Sequence, residues 1–313
     1  MQAELIEDNG AAAAGEEFFR SKEFLAAEGV THTLRIGPLA APLLVREVPG
    51  GDGQLDAISP YGYPGLAGPA DAAVDPASVD FSATGLVSAF LRHRLGGRPP
   101  LAGASERSRV QVADPVLPRK SRMSDRQQLR RNERRGYRVE IIPGPRSDAA
   151  QRADFLTAYE QTMSRAGAAE RYLFGAGYFE RVLACERSWL ALALDPAGAV
   201  AAGSIAAESD GYLHYYLSGT ADASLRDSPM KSLVSVLVDF AWERGQPLNL
   251  GGGIEPGDRL EEFKRGFANR DEVWWTSEIV CDPAAYERLS AGRHAGGLFP
   301  AYRAGSAGSG RAR

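Results

Sequence analysis

Arg126, Arg130 and Arg134 recur at i, i+4 and i+8, with Arg131 and Arg135 beside them, so a helix there carries its guanidinium groups in one stripe. From Arg119 to Arg138 the chain holds nine basic and two acidic side chains. Such a stripe is either a solvated helix face or a surface that binds phosphates, since crowded like charges repel unless an anion lies among them. In the run Tyr212 to Ser218, His214 and Tyr216 share one strand face. They are either a satisfied core pair or a cleft-facing pair able to take the proton of an attacking amine. Gly251, Gly252 and Gly253 are either a turn that needs positive φ or a row of backbone N–H donors. Lys264 follows the aromatic Phe263 and is one of four lysines, against 32 arginines. It is either an ordinary helix lysine or a cation set beside an aromatic ring.

Composition excludes several functions. A net charge of -4 at 44% hydrophobic and 24% charged residues implies no general nucleic-acid or membrane field, so only local clustering speaks for such a partner. No stretch reaches the ~18 apolar residues of a membrane helix, and no basic region followed by an apolar run opens the chain. Cys185 and Cys281 cannot make a disulfide framework. The expected location is cytoplasmic. No Walker phosphate loop, Gly-x-Ser-x-Gly elbow or zincin motif occurs, and His32, His93, His214 and His294 are too dispersed to suggest a metal pair. The expectation is an enzyme without metal or ATP.

These residues need an α/β frame. Strands are expected at 41–48 and 55–59, followed by the Pro/Gly/Tyr loop Ser59 to Gly65 and a helix over 81–95 carrying Leu86, Val87, Phe90 and Leu91. Ser124 to Gln127 reads as a capping box opening the arginine helix, which Gly136 closes. Then come a strand at 137–142, helices at 149–165 and 178–186, and a three-strand meander at 189–194, 199–208 and 212–218. Ser228-Pro229 starts a buried helix ending at Arg244, followed by a strand at 248–250, a short helix at 260–267 and a last strand at 273–281. The expected organisation is an N-terminal domain at 1–135, a C-terminal domain at 136–290 and a disordered tail at 291–313.

That order of elements resembles the acyltransferase fold of the GNAT superfamily. Five local features resemble, more narrowly, the Fem family of aminoacyl-tRNA-dependent transferases: the loop Ser59-Pro60-Tyr61-Gly62-Tyr63-Pro64-Gly65, the strand end Tyr215-Tyr216-Leu217-Ser218-Gly219, the proline-started helix, Leu250-Gly251-Gly252-Gly253, and Phe263-Lys264. The likeness spans roughly residues 40 to 282. It implies two tandem GNAT-like domains, each a mixed sheet flanked by helices, that pass an amino acid from its tRNA ester to an amine. Cell-wall members of that family carry a long coiled-coil hairpin, for which the segment between the helices near 165 and 180 is too short. The resemblance therefore points to compact relatives that add one residue to a small peptide or peptidyl-nucleoside-like acceptor in natural-product (antibiotic) biosynthesis. It assigns Phe263 and Lys264 to the tRNA 3′ end, and Ser59, Tyr61, Tyr63 and Gly252 to the substrate. Arg126, Arg130, Arg131, Arg134 and Arg135 would track the tRNA backbone, and His214, Tyr216 and Lys264 would serve the reaction.

One departure bears on the donor. GNAT enzymes rest the coenzyme A pyrophosphate on N–H groups of a Gln/Arg-x-x-Gly-x-Gly/Ala loop, where this chain has Arg226-Asp227-Ser228-Pro229-Met230-Lys231. Pro229 supplies no N–H, and Lys231 replaces a small residue. The expected co-substrate is aminoacyl-tRNA, with no other cofactor. A coenzyme A dependent N-acyltransferase, a peptidoglycan bridge aminoacyltransferase and a non-catalytic module that binds tRNA or peptide are the alternatives.

Overall fold

The computed structural model describes residues 1–293 and 296–304. These fall into two compact units, Met1–Arg107 with Trp274–Arg313, and Ser108–Val273. In chain order the elements are β1 (Ala3–Glu7), α1 (Lys22–Glu28), β2 (His32–Ile36), β3 (Leu39–Glu47), β4 (Leu55–Ile58), β5 (Leu86–Arg92), β6 (Ser105–Ala113), α2 (Met123–Arg134), β7 (Arg138–Pro143), α3 (Ala149–Ala166), α4 (Ala176–Leu183), β8 (Ser188–Leu194), β9 (Val200–Ser209), β10 (Tyr212–Thr220), α5 (Pro229–Glu243), β11 (Leu248–Gly251), α6 (Arg259–Arg265), β12 (Arg270–Val280) and α7 (Pro283–Ser290). Both units are mixed sheets flanked by helices, as the reading of the sequence implied.

In the first unit β1 to β4 pair antiparallel in succession, β4 and β5 run parallel, and β12 adds antiparallel to β5 from Thr276 to Val280. Leu34, Ile36, Leu43, Leu86, Ala89 and Leu91 close its core. The helix expected over 81–95 is instead strand β5, buried on both faces from Leu86 to Leu91. A strand covered on both sides is apolar at nearly every position, and over so short a run that pattern also fits one face of a helix.

The second unit is built on the antiparallel order β7-β8-β9-β10, to which β11 joins in parallel and β6 antiparallel. Helix α5 packs Leu233, Val234, Leu237 and Val238 against Ala191, Ala193, Ala202 and Ala206. Helix α3 lies on the other face, because Gly203 between those alanines receives the Phe155 ring. Small residues in β9 let both helices approach closely.

Three boundary expectations need correction. Helix α2 starts at Met123 with Arg122 at its N-cap and no side-chain cap, so the Ser124 to Gln127 box does not form. It belongs with the second unit because Asp125, Gln128 and Asn132 turn inward onto α5, while the strand that ends the second domain in the sequence reading passes at Trp274 into the first unit, where it pairs with β5. The compact units thus divide near 107 and 274 rather than at 135 and 290. The tail expected to be disordered from 291 is ordered over 296–304. There Tyr302 is buried against α7 and bonds Ser88, and Arg303 pairs with the buried Asp56. Of that tail, 294–295 and 305–313 lie outside the described residues.

Candidate functional site

The second unit gathers its reactive groups where β10 and β11 separate. These strands pair only at Leu213 with Leu248 and His214 with Asn249. Beyond that point β10 bulges at Tyr216, between the pairs Tyr215–Ala206 and Leu217–Ile205, and β11 shifts register before Gly251. A bulge adds a residue to one strand and bends it away from its partner. Of the three glycines only Gly251 takes a positive φ, +74°, so the turn begins there. Gly252 is required by proximity, since a Cβ there would lie 2.9 Å from the Arg109 carbonyl oxygen of β6.

Lys264 lies on α6, whose N-cap Asp258 accepts from the Glu261 N–H at 2.7 Å. It is not a solvated helix lysine: it is 8% exposed. Its Nζ donates to the Gly252 carbonyl at 2.6 Å, and among the described residues no carboxylate forms an ion pair with it. Burial lowers its pKa from 10.5 to about 8, against the opposing pull of Asp258 and Glu261. An ammonium held dry with one neutral acceptor keeps two N–H donors for an incoming anion. Phe263 stands against Phe267 with ring centroids 5.5 Å apart and packs on the α5 core. Gln111, opposite Gly251 on β6, has its amide nitrogen buried without a hydrogen-bond partner among the described residues.

His214 leaves the set of candidate proton acceptors. It is 1% exposed, its Nδ1 accepts from Asn249 Nδ2 at 3.0 Å, and its Nε2 donates to the Ser209 carbonyl at 3.2 Å. Burial pushes its pKa down to about 4, so it is neutral at pH 7 with both nitrogens engaged. Of the two readings of His214 and Tyr216, the satisfied core holds for the histidine. Tyr216 sits at the bulge, half-buried, and shares a 2.6 Å hydrogen bond with the hydroxyl of Tyr178 on α4.

At the amino end of α5, Pro229 occupies the first helical position as expected, but Ser228 does not cap with its side chain and adopts φ +48°. Asp227 sits at this helix end. It accepts from the Tyr137 hydroxyl at 2.7 Å, forms an ion pair with Arg135, and its carbonyl accepts from Gln128 at 2.9 Å. The Tyr137 bond, ahead of the Arg135 charge, holds the Asp227 carboxyl below its usual pKa. Lys231 is tied to Asp125 of α2 at 2.8 Å. Arg135 is therefore engaged by Asp227 although it remains exposed, and Arg126, Arg130, Arg131 and Arg134 are exposed along α2. Arg130, Arg131 and Arg134, with Gln127 and Glu133, line an open cavity of about 460 Å³.

In the first unit, Ser59 is buried, and its hydroxyl accepts from the Arg92 N–H at 3.1 Å. Tyr61 and Tyr63 are half-buried. The Arg92 guanidinium lies 5.4 Å from the Tyr61 ring centre and 5.7 Å from that of Trp274, which Tyr63 meets edge-on. Gly62 between them takes φ +105°, with a Cβ position only 2.4 Å from the Phe19 ring. Asn249, Asp227 and Trp274 escaped the sequence reading. A polar residue between Leu248 and Leu250, in a strand buried throughout, was the available signal for the first.

Among the described residues no group of three or more His, Cys, Asp or Glu could hold a metal ion, and no helix is long and apolar enough to cross a membrane. The parallel β10–β11 pair splaying beside a buried α5 defines an acyltransferase fold of the GNAT type, and residues 119–265 match the family described as acetyltransferase (GNAT) domain. Solved structures share this fold at low sequence identity. FemX superposes with a TM-score of 0.55 over 82% of this chain and 89% of its own, at 12% identity. The C-terminal domain of a putative lysylphosphatidylglycerol synthetase from Agrobacterium fabrum gives 0.56 over 88% and 92%, at 14% identity. L-PGS from Bacillus licheniformis gives 0.53 over 79% and 82%, at 12% identity. No curated protein sequence matches the chain.

Proposed function

We propose that this protein transfers an amino acid from aminoacyl-tRNA to the amine of a small peptide or amino-acyl acceptor, forming a peptide bond. The observation that carries the reading is the altered amino end of α5. Where a GNAT enzyme rests the coenzyme A pyrophosphate, Pro229 removes an N–H, and Asp227, two residues before it and held by Tyr137 and Arg135, sets negative charge beside the helix end. A second anion there meets like charge. An ester already activated on tRNA needs neither coenzyme A nor ATP.

In the reaction the acceptor nitrogen bonds to the ester carbonyl carbon, the ester C–O bond breaks, and the amine proton ends on the released ribose hydroxyl. Lys264 offsets the charge of the developing oxyanion or of the terminal phosphate, an interaction that a dry site strengthens. Tyr216, paired with Tyr178, is the hydroxyl relay for the proton. Holding amine and ester in contact supplies much of the acceleration, up to roughly 7 to 11 kcal/mol for well-oriented partners. The connection between α3 and α4, residues 167–175, has no room for a coiled-coil hairpin, which favours a small acceptor over a peptidoglycan bridge. The acetyltransferase description of the matched family favours a second reading, a coenzyme A dependent N-acyltransferase.

The deciding experiment offers total aminoacyl-tRNA with labelled amino acids to candidate peptides and, separately, to phosphatidylglycerol vesicles, with acetyl-coenzyme A as a parallel donor. Labelled peptide should form from charged tRNA and vanish after ribonuclease treatment. Product from acetyl-coenzyme A, or micromolar binding of coenzyme A by calorimetry, would overturn the donor assignment. Label in the lipid alone would overturn the acceptor.

The outer arginines of α2 are assigned to the tRNA backbone. Each phosphate contact contributes about 0.7 to 0.9 to the slope of log affinity against log salt. Changing Arg130 and Arg134 together to Ser should flatten that slope by about one to two in fluorescence anisotropy with labelled tRNA, with turnover at saturating donor nearly unchanged. Parallel slopes for the two proteins would return the stripe to ordinary solvated charge.

A further inference from the structure

Among the described residues Lys264 forms no ion pair, although Asp258 and Glu261 attract it from nearby, and its Nζ is fixed by one neutral oxygen, the Gly252 carbonyl. The direction of that carbonyl follows from the turn at Gly251, and the turn is anchored from inside the strand. Gly251 N–H donates to Asn249 Oδ1 at 2.8 Å, two residues back along the chain, which is how an asparagine side chain shapes a turn. With Oδ1 so engaged, the Asn249 amide can face in one sense only, and its Nδ2 donates to His214 Nδ1 at 3.0 Å. That in turn fixes the histidine tautomer, with the proton on Nε2 directed at the Ser209 carbonyl, 3.2 Å away. The hydrogen bonds run unbroken from Ser209 to the lysine.

An apolar pair could sit in this place with little change in stability. Asn249 is 2% exposed and His214 1%, while the residues on either side of Asn249, Leu248 and Leu250, are fully buried. Buried polar side chains are costly unless bonded, a bonded pair can be replaced by apolar groups at little change in stability, and what a fully bonded network adds is a single fixed geometry. We propose that His214 and Asn249 are positioning residues for Lys264, acting through the backbone of Gly251 and Gly252. The proposal rests on the reading of Lys264 as the group that meets the donor. It also gives both residues a part in the reaction without contact with substrate.

The four lysines, Lys22, Lys120, Lys231 and Lys264, make the test direct, because lysine-selective isotope labelling yields four ammonium signals. In the wild-type protein one signal should titrate near pH 8, set by burial and by the facing carboxylates Asp258 and Glu261. In Asn249→Leu and in His214→Leu that titration should move up by about one pH unit as the ammonium leaves its carbonyl for water. In the same variants kcat should fall about tenfold, with the donor KM within about twofold. His214→Gln should restore both, since its Oε1 can accept from Asn249 and its Nε2 can donate to Ser209. The proposal is overturned if the lysine titrates near pH 8 in all three variants, or if His214→Gln behaves like His214→Leu. A shifted titration in a protein that transfers nothing from any charged tRNA would uphold the positioning network and sink the donor assignment instead.

Discussion

Replacing Lys264 with Met should make the protein more stable at pH 7 while lowering transfer on the order of a hundredfold, the loss expected when one donor to a developing charge is removed. The two effects have one cause. Folding takes this ammonium out of water and gives it a single carbonyl, so its pKa falls from 10.5 to about 8. A base whose folded pKa lies below its unfolded value opposes folding wherever the unfolded chain holds the proton more tightly. That penalty is fully present below about pH 8 and disappears as pH rises toward 10.5. A shift of that size corresponds to about 3 kcal/mol, from which the unpaired Gly252 carbonyl left by methionine subtracts about 1 to 3 kcal/mol, for a net gain of up to about 2 kcal/mol. Urea unfolding at pH 7 and pH 10 reads it, with the gain shrinking at the higher pH. Lys264→Arg keeps its charge throughout, so any fall in kcat/KM of the wild type above pH 8 should be absent in that variant. A methionine variant that loses both activity and stability would make Lys264 a structural lysine.

The sequence placed Lys264 on a short helix after an aromatic residue, but its spacing could not reveal the burial on which this argument depends. Burial comes from the turn at Gly251 and the close approach of Gly252 to β6, both long-range features. The same limit explains His214. Strand alternation put it beside Tyr216 on one face, whereas the bulge at Tyr216 breaks the alternation at that point and leaves the histidine sealed against Asn249. Elements with strong local signals were legible, among them the meander β8-β9-β10 and the proline start of α5. β5 was not, because six buried residues in a row have no period. Helix α2 was legible as a helix, but its docking was not. Its inward face is Asp125, Gln128 and Asn132, and polar residues at helical spacing look like solvent-facing ones until partners such as Lys231 and Ser232 are known.

Gly219 shows how a residue quoted for its family likeness can have a plain physical reason. It pairs across the sheet with Gly203, and α3 crosses both. A Cβ on Gly219 would lie 2.5 Å from the Ala158 carbonyl group and from the Tyr159 Cα, all backbone of the helix. No rotamer change relieves that contact, so Gly219→Ala must push α3 off the sheet or distort β10. Over Gly203 the obstacle is the Phe155 ring at 2.6 Å, which can tilt. Gly219→Ala should therefore cost more than Gly203→Ala. The expected losses are about 3 kcal/mol or more for the first, at or above the upper end of ordinary overpacking, and about 1 to 3 kcal/mol for the second. Because α3 also bonds the end of β10, through Thr162 Oγ1 and the Thr220 N–H at 2.8 Å, its displacement should loosen the strand that carries Tyr216. Transfer should then fall with stability in Gly219→Ala even at temperatures where the variant stays folded. Chemical denaturation of both variants, with activity measured well below each melting temperature, separates the two glycines. Equal losses at the two positions would mean that α3 yields as readily as a side chain and that the close helix-to-strand contact does not hold β10 in place.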